Sequence, residues 1–125
     1  MIFGIGTDII EVKRMEKHLE NNDALRKKLY TETEQKYCEN GKVTQAQCYA
    51  ARFAAKEAFF KALGTGYRYG MAFKEIEILN DELGKPYVKP HGKVKEYVEQ
   101  QQITSIHLSI SHLKEMANAF VVLEK

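Results

Sequence analysis

Hydrophobic residues recur with two different periods along the chain, and each period predicts a different kind of element. Residues 2–12 are rich in β-branched apolar side chains, which predicts a strand. Period-two alternation places Gly4, Gly6 and Asp8 on one face of this strand. Because apolar residues occur on both faces, we expect the strand to be buried on each side. A carboxylate at Asp8 is then costly unless it is paired or bound to a metal.

Helical spacing dominates from the end of this strand to residue 64. Within each of the first predicted helices the apolar positions lie three or four residues apart: Val12, Met15 and Leu19, then Leu25 and Leu29. Thr31 with Glu34, and Thr44 with Gln47, fit capping boxes that begin two further helices. The second of these is the longest helix of the chain, and Gly64 predicts its end.

In the second half of the chain, apolar and polar residues again alternate with the period of two that is typical of strands. The predicted order is a strand at 73–79, a turn at 80–86, a return strand from 87, a surface helix at 91–102, and strands at 103–111 and 117–123. This order predicts an α+β fold, with helices mainly in the first half packed on an antiparallel sheet. No repeat or low-complexity linker divides the chain, so residues 1–125 are expected to form a single domain.

The composition is that of an ordinary globular protein, with 44% apolar and 29% charged residues among 125. No apolar run approaches the roughly 18 residues that a membrane span needs, and the N-terminus lacks the features of a signal peptide. Cys38 and Cys48 have no zinc spacing and no disulfide-rich framework, so we expect two small buried apolar side chains in a cytoplasmic protein. A net charge of +2 is too small to indicate nucleic-acid binding.

Positive charge is concentrated in one segment. Between residues 13 and 28 there are six basic and three acidic residues. The basic residues are Lys13, Arg14, Lys17, Arg26, Lys27 and Lys28. This segment could attract an acidic partner, although a solvated helix face has the same composition.

The end of the longest helix carries candidate chemistry. Glu57 and Lys61 lie four residues apart and share one face, a spacing that also fits an ordinary surface ion pair. The Gly64–Gly66 turn that follows offers backbone N–H groups and the Thr65 hydroxyl to a phosphate. Asp8 gives Glu57 a second carboxylate, and two carboxylates suit Mg²⁺, which binds oxygen ligands and leaves positions for phosphate. The residues therefore indicate a metal-assisted phosphate site.

Four segments, spread over nearly the whole chain, resemble one family. They are Gly4-Ile-Gly-Thr-Asp8-Ile-Ile-Glu-Val-Lys-Arg14, Arg52-Phe-Ala-Ala-Lys56-Glu57-Ala-Phe-Phe-Lys61-Ala-Leu-Gly-Thr-Gly66, Gly84-Lys85-Pro86 and Ser109-Ile-Ser-His112. In order and spacing they resemble the holo-acyl-carrier-protein synthases, a small group within the 4′-phosphopantetheinyl transferases. The resemblance implies that family's fold and its reaction in fatty acid biosynthesis. In that reaction the 4′-phosphopantetheine group of coenzyme A is transferred to a serine of apo-acyl carrier protein, leaving adenosine 3′,5′-bisphosphate.

The resemblance also implies a role for individual residues. Asp8 and Glu57 match the magnesium ligands, and Lys61 matches the lysine beside the coenzyme A pyrophosphate; these three form the implied catalytic set. The implied coenzyme-binding residues are Lys61, Gly64, Thr65, Gly66 and His112, and Arg52 is a further candidate because its charge could reach a phosphate. The implied docking surface for the acidic helix of the carrier protein consists of Arg14, Lys13 and Lys17. The family further implies a homotrimer with each active site at a subunit interface.

Several of these assignments have simpler alternatives. His112 could be a polar strand-end residue with satisfied hydrogen bonds, and Arg52 and Lys56 could reach phosphates or carry charge on the helix surface. Leu113 stands where a threonine is common in the family. A non-catalytic coenzyme A or nucleotide-binding module would not need both carboxylates. A nucleic-acid-binding domain would need a basic and aromatic stripe on a sheet, which the last hairpin lacks.

Overall fold

Five α-helices, five strands and one turn of 3₁₀ helix make up residues 1–41 and 43–125, the part of the chain that the computed structural model describes. The strands are β1 (Ile2–Glu11), β2 (Ile76–Asn80), β3 (Pro86–Pro90), β4 (Ser105–His112) and β5 (Met116–Glu124). The helices are α1 (Val12–Leu19), α2 (Asp23–Leu29), α3 (Glu32–Glu39), α4 (Gln45–Leu63) and α5 (Gly92–Gln100). None of these helices in the described part of the chain is long and apolar enough to cross a membrane.

The described strands form two antiparallel sheets. Strands β1, β5 and β4 lie side by side in that order, and β2 pairs with β3 as a separate hairpin. The predicted α+β class, with helices mainly in the first half, is confirmed. The strand predicted at 73–79 begins later, because Phe73–Glu75 forms the 3₁₀ turn. The Glu75 carboxylate accepts a hydrogen bond from the Ala72 amide at 3.0 Å, which stabilises this turn.

Helix α4 lies against the inner face of the larger sheet, and glycines in β1 allow its close approach. A side chain at Gly4 would clash with the carbonyl oxygen of Ala62, and one at Gly6 would clash with that of Ala58. The backbone of the helix therefore packs directly on the strand. Asp8 continues the same face of β1 two residues after Gly6, so it lies on the side of the sheet that carries α4.

The outer face of the larger sheet is uncovered in a single chain, which corrects the expectation that β1 is buried on both sides. Ile5 and Ile9 are 59% and 61% exposed, and Phe120 of β5 is 45% exposed. Phe120 lies opposite Thr7 in the register, and Val122 lies opposite Ile5. These apolar side chains form one patch on the strands β1 and β5, and the patch is open to another protein surface.

The two predicted capping boxes are confirmed at the N-termini of α3 and α4. The Thr31 hydroxyl accepts a hydrogen bond from the Glu34 amide, and the Thr44 hydroxyl accepts one from the Gln47 amide, each at 3.2 Å. In both boxes the longer side chain accepts a hydrogen bond from the backbone N–H of the capping residue. Helix α4 ends at Gly64, whose φ of 79° lies in the left-handed region that favours glycine.

A buried ion pair joins α3 to α4, so Lys56 neither reaches the surface nor is free to bind phosphate. The Lys56 and Glu34 side chains are both fully buried, and Nζ lies 2.9 Å from Oε1. Lys56 also donates to the carbonyl oxygens of Phe73 and Ile76, and the second Glu34 oxygen accepts from the Ile78 amide. Burial lowers the pKa of Lys56 to about 8, and the charge of Glu34 opposes that shift.

Cys38 and Cys48 are joined by a disulfide bond, so the prediction of two separate apolar side chains is wrong, although both residues are buried. The prediction considered each helix alone. Helices α3 and α4 are in contact, and this brings the two Cα atoms to 5.3 Å. That separation is common for paired cysteines.

Candidate active site

Asp8 and Lys61 meet where β1 passes α4. The Nζ atom of Lys61 donates to Oδ1 of Asp8 and to the carbonyl oxygen of Thr7, both at 3.0 Å. The Asp8 side chain is 17% exposed, and that of Lys61 is 55% exposed. Asn118 on β5 donates to the Asp8 carbonyl oxygen at 3.0 Å, which fixes the strand at this point. The strand and the helix that the sequence predicts to meet are thus in contact through these side chains.

Glu57 binds a tyrosine rather than Lys61, one turn away. The Tyr67 hydroxyl donates a hydrogen bond to Oε1 of Glu57 at 2.8 Å. Lys61 pairs with Asp8 instead, so the surface ion pair that the spacing allows is not formed between these two described residues. Partial burial raises the pKa of Tyr67 to about 12, and the hydrogen bond to Glu57 adds to this shift. Tyr67 is therefore protonated at neutral pH and acts as the donor.

A groove of about 620 Å³ contains these charged side chains, and we call it the Asp8 groove. Its lining includes Asp8, Arg14, Met15, His18, Lys28, Phe53, Glu57, Lys61, Tyr67 and Phe73. Phe53, Glu57 and Lys61 follow one another at intervals of four residues, so α4 presents all three on one face. The volume is within the usual range for small-molecule sites, about 300–1,000 Å³.

The two carboxylates of the Asp8 groove suit Mg²⁺. Each has one oxygen in a hydrogen bond, from Lys61 to Asp8 and from Tyr67 to Glu57, and no described residue bonds to the other oxygen. Residues 1–41 and 43–125 contain no group of three or more His, Cys, Asp or Glu side chains that could hold a metal. Mg²⁺ usually takes only one or two protein carboxylates and completes its octahedron with water and phosphate oxygens, so this donor set fits the ion.

The Gly64–Gly66 turn is open to solvent at its glycines. Their φ angles are 79° and 62°, and a side chain at either position would meet nothing within 4 Å. Thr65 is buried, and its hydroxyl donates to the Gly66 carbonyl oxygen at 3.1 Å. The Gly64 N–H donates to the Phe60 carbonyl oxygen at 3.0 Å, so the backbone N–H groups of Thr65 and Gly66 are the part of this turn that a phosphate could reach.

Arg52 and His112 lie in a second groove, of about 600 Å³, which we call the Arg52 groove. The buried Arg52 donates to the side-chain oxygen of Asn80 at 2.8 Å, and its guanidinium lies 4.2 Å from the centre of the Tyr37 ring. Arg52 and Glu57 are five positions apart in the sequence, so their side chains point in directions about 140° apart around the helix axis. The structure therefore does not bring Arg52 and His112 into the Asp8 groove of the same chain.

The basic residues of α1 divide between two surfaces. Arg14 lines the Asp8 groove, so its charge lies beside the candidate site. Lys13 and Lys17 line a neighbouring groove together with Arg26 of α2. All three α1 residues are exposed, and we call them the basic rim, of which Arg14 lies beside the carboxylates and Lys13 and Lys17 lie in the neighbouring groove.

Tyr67 is the functional candidate that the sequence analysis missed. It belongs to a segment rich in glycine and tyrosine, which predicts only a loop. The one available signal is its place directly after Gly66, at the end of the helix that carries Glu57. Phe53 was also left out as a site residue, because an aromatic residue at helical spacing is more often part of the core.

A family model and the sequences of relatives both match this chain over nearly its whole length. The family model of the 4′-phosphopantetheinyl transferase superfamily matches residues 4–120. The holo-[acyl-carrier-protein] synthase of Trichlorobacter lovleyi is 49% identical, over 99% of this chain and 98% of the relative.

Solved structures of the same kind of enzyme superpose along the whole chain. The crystal structure of holo-[acyl-carrier-protein] synthase from Neisseria meningitidis has a TM-score of 0.91 at 38% identity, covering 100% of both chains. The holo-(acyl-carrier-protein) synthase from Bacillus anthracis, in complex with CoA (3′,5′-ADP), has a TM-score of 0.80 at 42% identity. That match covers 98% of this chain and 96% of the other.

Proposed function

The chain belongs to the 4′-phosphopantetheinyl transferase superfamily, and on that premise we propose that it is a holo-acyl-carrier-protein synthase. It transfers the 4′-phosphopantetheine group of coenzyme A to a serine of apo-acyl carrier protein and leaves adenosine 3′,5′-bisphosphate. One observation carries the proposal: Asp8, Glu57 and Lys61, from two separate elements, line a single groove. Two carboxylates beside an amine suit a reaction at a diphosphate, in which catalysis depends on positioning and on stabilising charge.

We propose that the oxygens of Asp8 and Glu57 hold Mg²⁺. When bound there, the ion would offset the charge of the diphosphate and orient it for in-line attack. The Asp8 carboxylate is held by Lys61 through one oxygen, which leaves the other oxygen for a ligand. Both residues are carried by regular elements, β1 and α4, which keep the two carboxylates on one side of the groove.

The serine oxygen of the carrier protein attacks the β-phosphorus of coenzyme A. A new O–P bond forms as the bond to the departing adenosine bisphosphate breaks. We assign the serine proton to the Asp8 carboxylate or to a water beside it, and we assign to the Lys61 ammonium the stabilisation of charge on the departing phosphate. The exposed backbone of the Gly64–Gly66 turn, at the end of the same helix, is our candidate for holding a further phosphate oxygen.

We further propose that a complete site needs two protomers. His112, which the resemblance assigns to coenzyme binding, and Arg52, a candidate for binding phosphate, occupy a groove on another face of α4. The uncovered patch of Ile5, Ile9 and Phe120 offers an apolar surface for self-association. A homotrimer that covers this patch could bring the Arg52 groove of one protomer to the Asp8 groove of the next. The apolar patch supports self-association of the chain, and the number of three protomers follows from the family resemblance.

The basic rim of Arg14, Lys13 and Lys17 is the proposed docking surface for the carrier protein. An acidic helix placed there would bring its serine to the Asp8 groove, because Arg14 lines that groove. Complementary charge of this kind speeds encounter and fixes orientation. We propose fatty acid biosynthesis in the cytoplasm as the setting, and a single domain of residues 1–125 as the catalytic unit.

Intact-mass measurement of an apo-acyl carrier protein tests the proposal. After incubation with the protein, Mg²⁺ and coenzyme A, the carrier protein should gain about 340 Da, the mass of the transferred group.

A further inference from the structure

Tyr67 is held in the Asp8 groove by two aromatic rings. The ring of Phe60 lies edge-on at a centroid distance of 5.1 Å, and that of Phe73 lies at 4.8 Å. Phe60 is buried in α4, and Phe73 belongs to the 3₁₀ turn, so both rings are parts of regular structure. Contacts of this kind restrict the orientation of an aromatic side chain, although 56% of Tyr67 is exposed.

The fixed ring directs its hydroxyl at the carboxylate of Glu57. The donor and acceptor oxygens are 2.8 Å apart. Within the described part of the chain this is the only hydrogen bond that the Glu57 carboxylate accepts. Without it, the last torsion angle of Glu57 would be free, because a terminal carboxylate has a broad rotational preference.

We propose that Tyr67 is a positioning residue, which orients the Glu57 carboxylate for magnesium binding through a hydrogen bond to Oε1. The proposal rests on the proposed function, because it takes Glu57 as a magnesium ligand. Tyr67 occupies Oε1 and leaves Oε2 for the ion, and its hydrogen bond reduces the number of carboxylate orientations that must be lost when the ion binds. Partners of this kind typically change metal affinity by about 10–100-fold when they are removed.

Two alternative roles for the Tyr67 hydroxyl predict a different effect on magnesium binding when the hydroxyl is removed. If the Tyr67 hydroxyl competed with magnesium for the carboxylate, its removal would strengthen binding. If Tyr67 only filled space between Phe60 and Phe73, removal of the hydroxyl would leave magnesium binding unchanged. The direction of the change therefore decides among the three roles.

The test uses Tyr67→Phe, which keeps the ring between Phe60 and Phe73 and removes only the hydroxyl. Its matched control is Tyr69→Phe, two residues along the same loop, where the ring stacks on Tyr97 and lies outside the Asp8 groove. Magnesium binding is measured by titration calorimetry on the full-length protein with coenzyme A present and no carrier protein. The half-saturating magnesium concentration for transfer is measured in parallel.

We expect Tyr67→Phe to weaken magnesium binding about tenfold and to raise the half-saturating concentration by the same factor. The melting temperature and the KM for carrier protein should stay at wild-type values, and Tyr69→Phe should match wild type throughout. Unchanged or tighter magnesium binding in Tyr67→Phe would overturn the positioning role. That result leaves the proposed function standing if the wild-type protein transfers the group. A wild-type protein that transfers nothing, or that binds no magnesium, would remove the role together with its premise.

Discussion

Arg52 and Lys61 are both carried by α4, yet their side chains line different grooves. Lys61 binds Asp8, whereas Arg52 binds Asn80 and shares its groove with His112. One chain therefore presents two separate grooves. Under the proposed function, a coenzyme A molecule that used both grooves would lie between two chains, one contributing each groove.

Two impaired variants are expected to restore activity when they share a trimer. Asp8→Asn damages the Asp8 groove, and His112→Ala damages the Arg52 groove. If equal amounts are refolded together, about one site in four combines two intact grooves. Transfer activity should then rise to about one quarter of the wild-type value. The comparison is with the same two variants folded separately and mixed. Activity that stays at the mean of the separate variants after co-refolding would show that each site is formed within one chain.

Lys61→Met should lower kcat by about 100-fold or more, because it removes the only positive charge directly beside Asp8 among the described contacts. Stability should change by less than about 1 kcal/mol, since an ion pair with a partner this exposed contributes little. Steady-state kinetics and urea unfolding measure the two effects. Lys36→Met is the matched control, because Lys36 is also exposed and paired, with Glu32 on α3. Equal kcat values for the two variants would remove Lys61 from the mechanism.

Arg14→Glu should raise the KM for carrier protein about tenfold and leave the KM for coenzyme A within about twofold. The reversed charge repels an acidic helix but lies at the rim of the groove. Lys95→Glu, on the exposed face of α5, makes the same change of charge at a residue that lines neither the Asp8 groove nor the groove of Lys13 and Lys17, and it should affect neither constant. Both constants come from one set of initial rates. An equal rise in the two KM values for Arg14→Glu would place the docking surface elsewhere.

Lys56→Met should destabilise the fold by about 3–5 kcal/mol, because it leaves the carboxylate of Glu34 buried without its cation. The double variant Glu34→Gln with Lys56→Met should recover part of this loss. The two Glu34 oxygens accept from the Thr31 and Ile78 amides, and a glutamine oxygen keeps one of these hydrogen bonds while no charge remains buried, so the recovery is partial. Urea unfolding of the wild type, Lys56→Met, Glu34→Gln and the double variant gives the coupling energy. A double variant no more stable than Lys56→Met would show that the lost cation is not the cause.

Local signals in the sequence predicted the framework of the site. Alternation placed Asp8 on the face of Gly4 and Gly6, and the structure confirms that this face carries α4. The capping box at Thr44 and the glycine at Gly64 fixed both ends of that helix. Such signals involve residues only a few positions apart, so they are visible without the fold.

Contacts between residues far apart in the sequence could not be predicted from such local signals. Glu34 and Lys56 are 22 residues apart, and each has an ordinary local explanation as a cap or a helix-surface charge. The pairing of Cys38 with Cys48 depends on how two helices meet. The hydrogen bond from Tyr67 depends on the path of an irregular loop. Periodicity carries no information about any of these distances.

The transfer reaction itself is tested most directly by the mass of the carrier protein. Apo-acyl carrier protein is incubated with coenzyme A, Mg²⁺ and either the wild-type chain or Asp8→Asn, which removes one carboxylate charge at nearly constant size. We expect a gain of about 340 Da with wild type. We expect no gain with Asp8→Asn or with wild type in excess chelator, while the circular dichroism spectrum of the variant stays that of the wild type. Absence of the adduct from several carrier proteins treated with wild type would contradict the proposed function, and an adduct formed equally well by Asp8→Asn would contradict the proposed site.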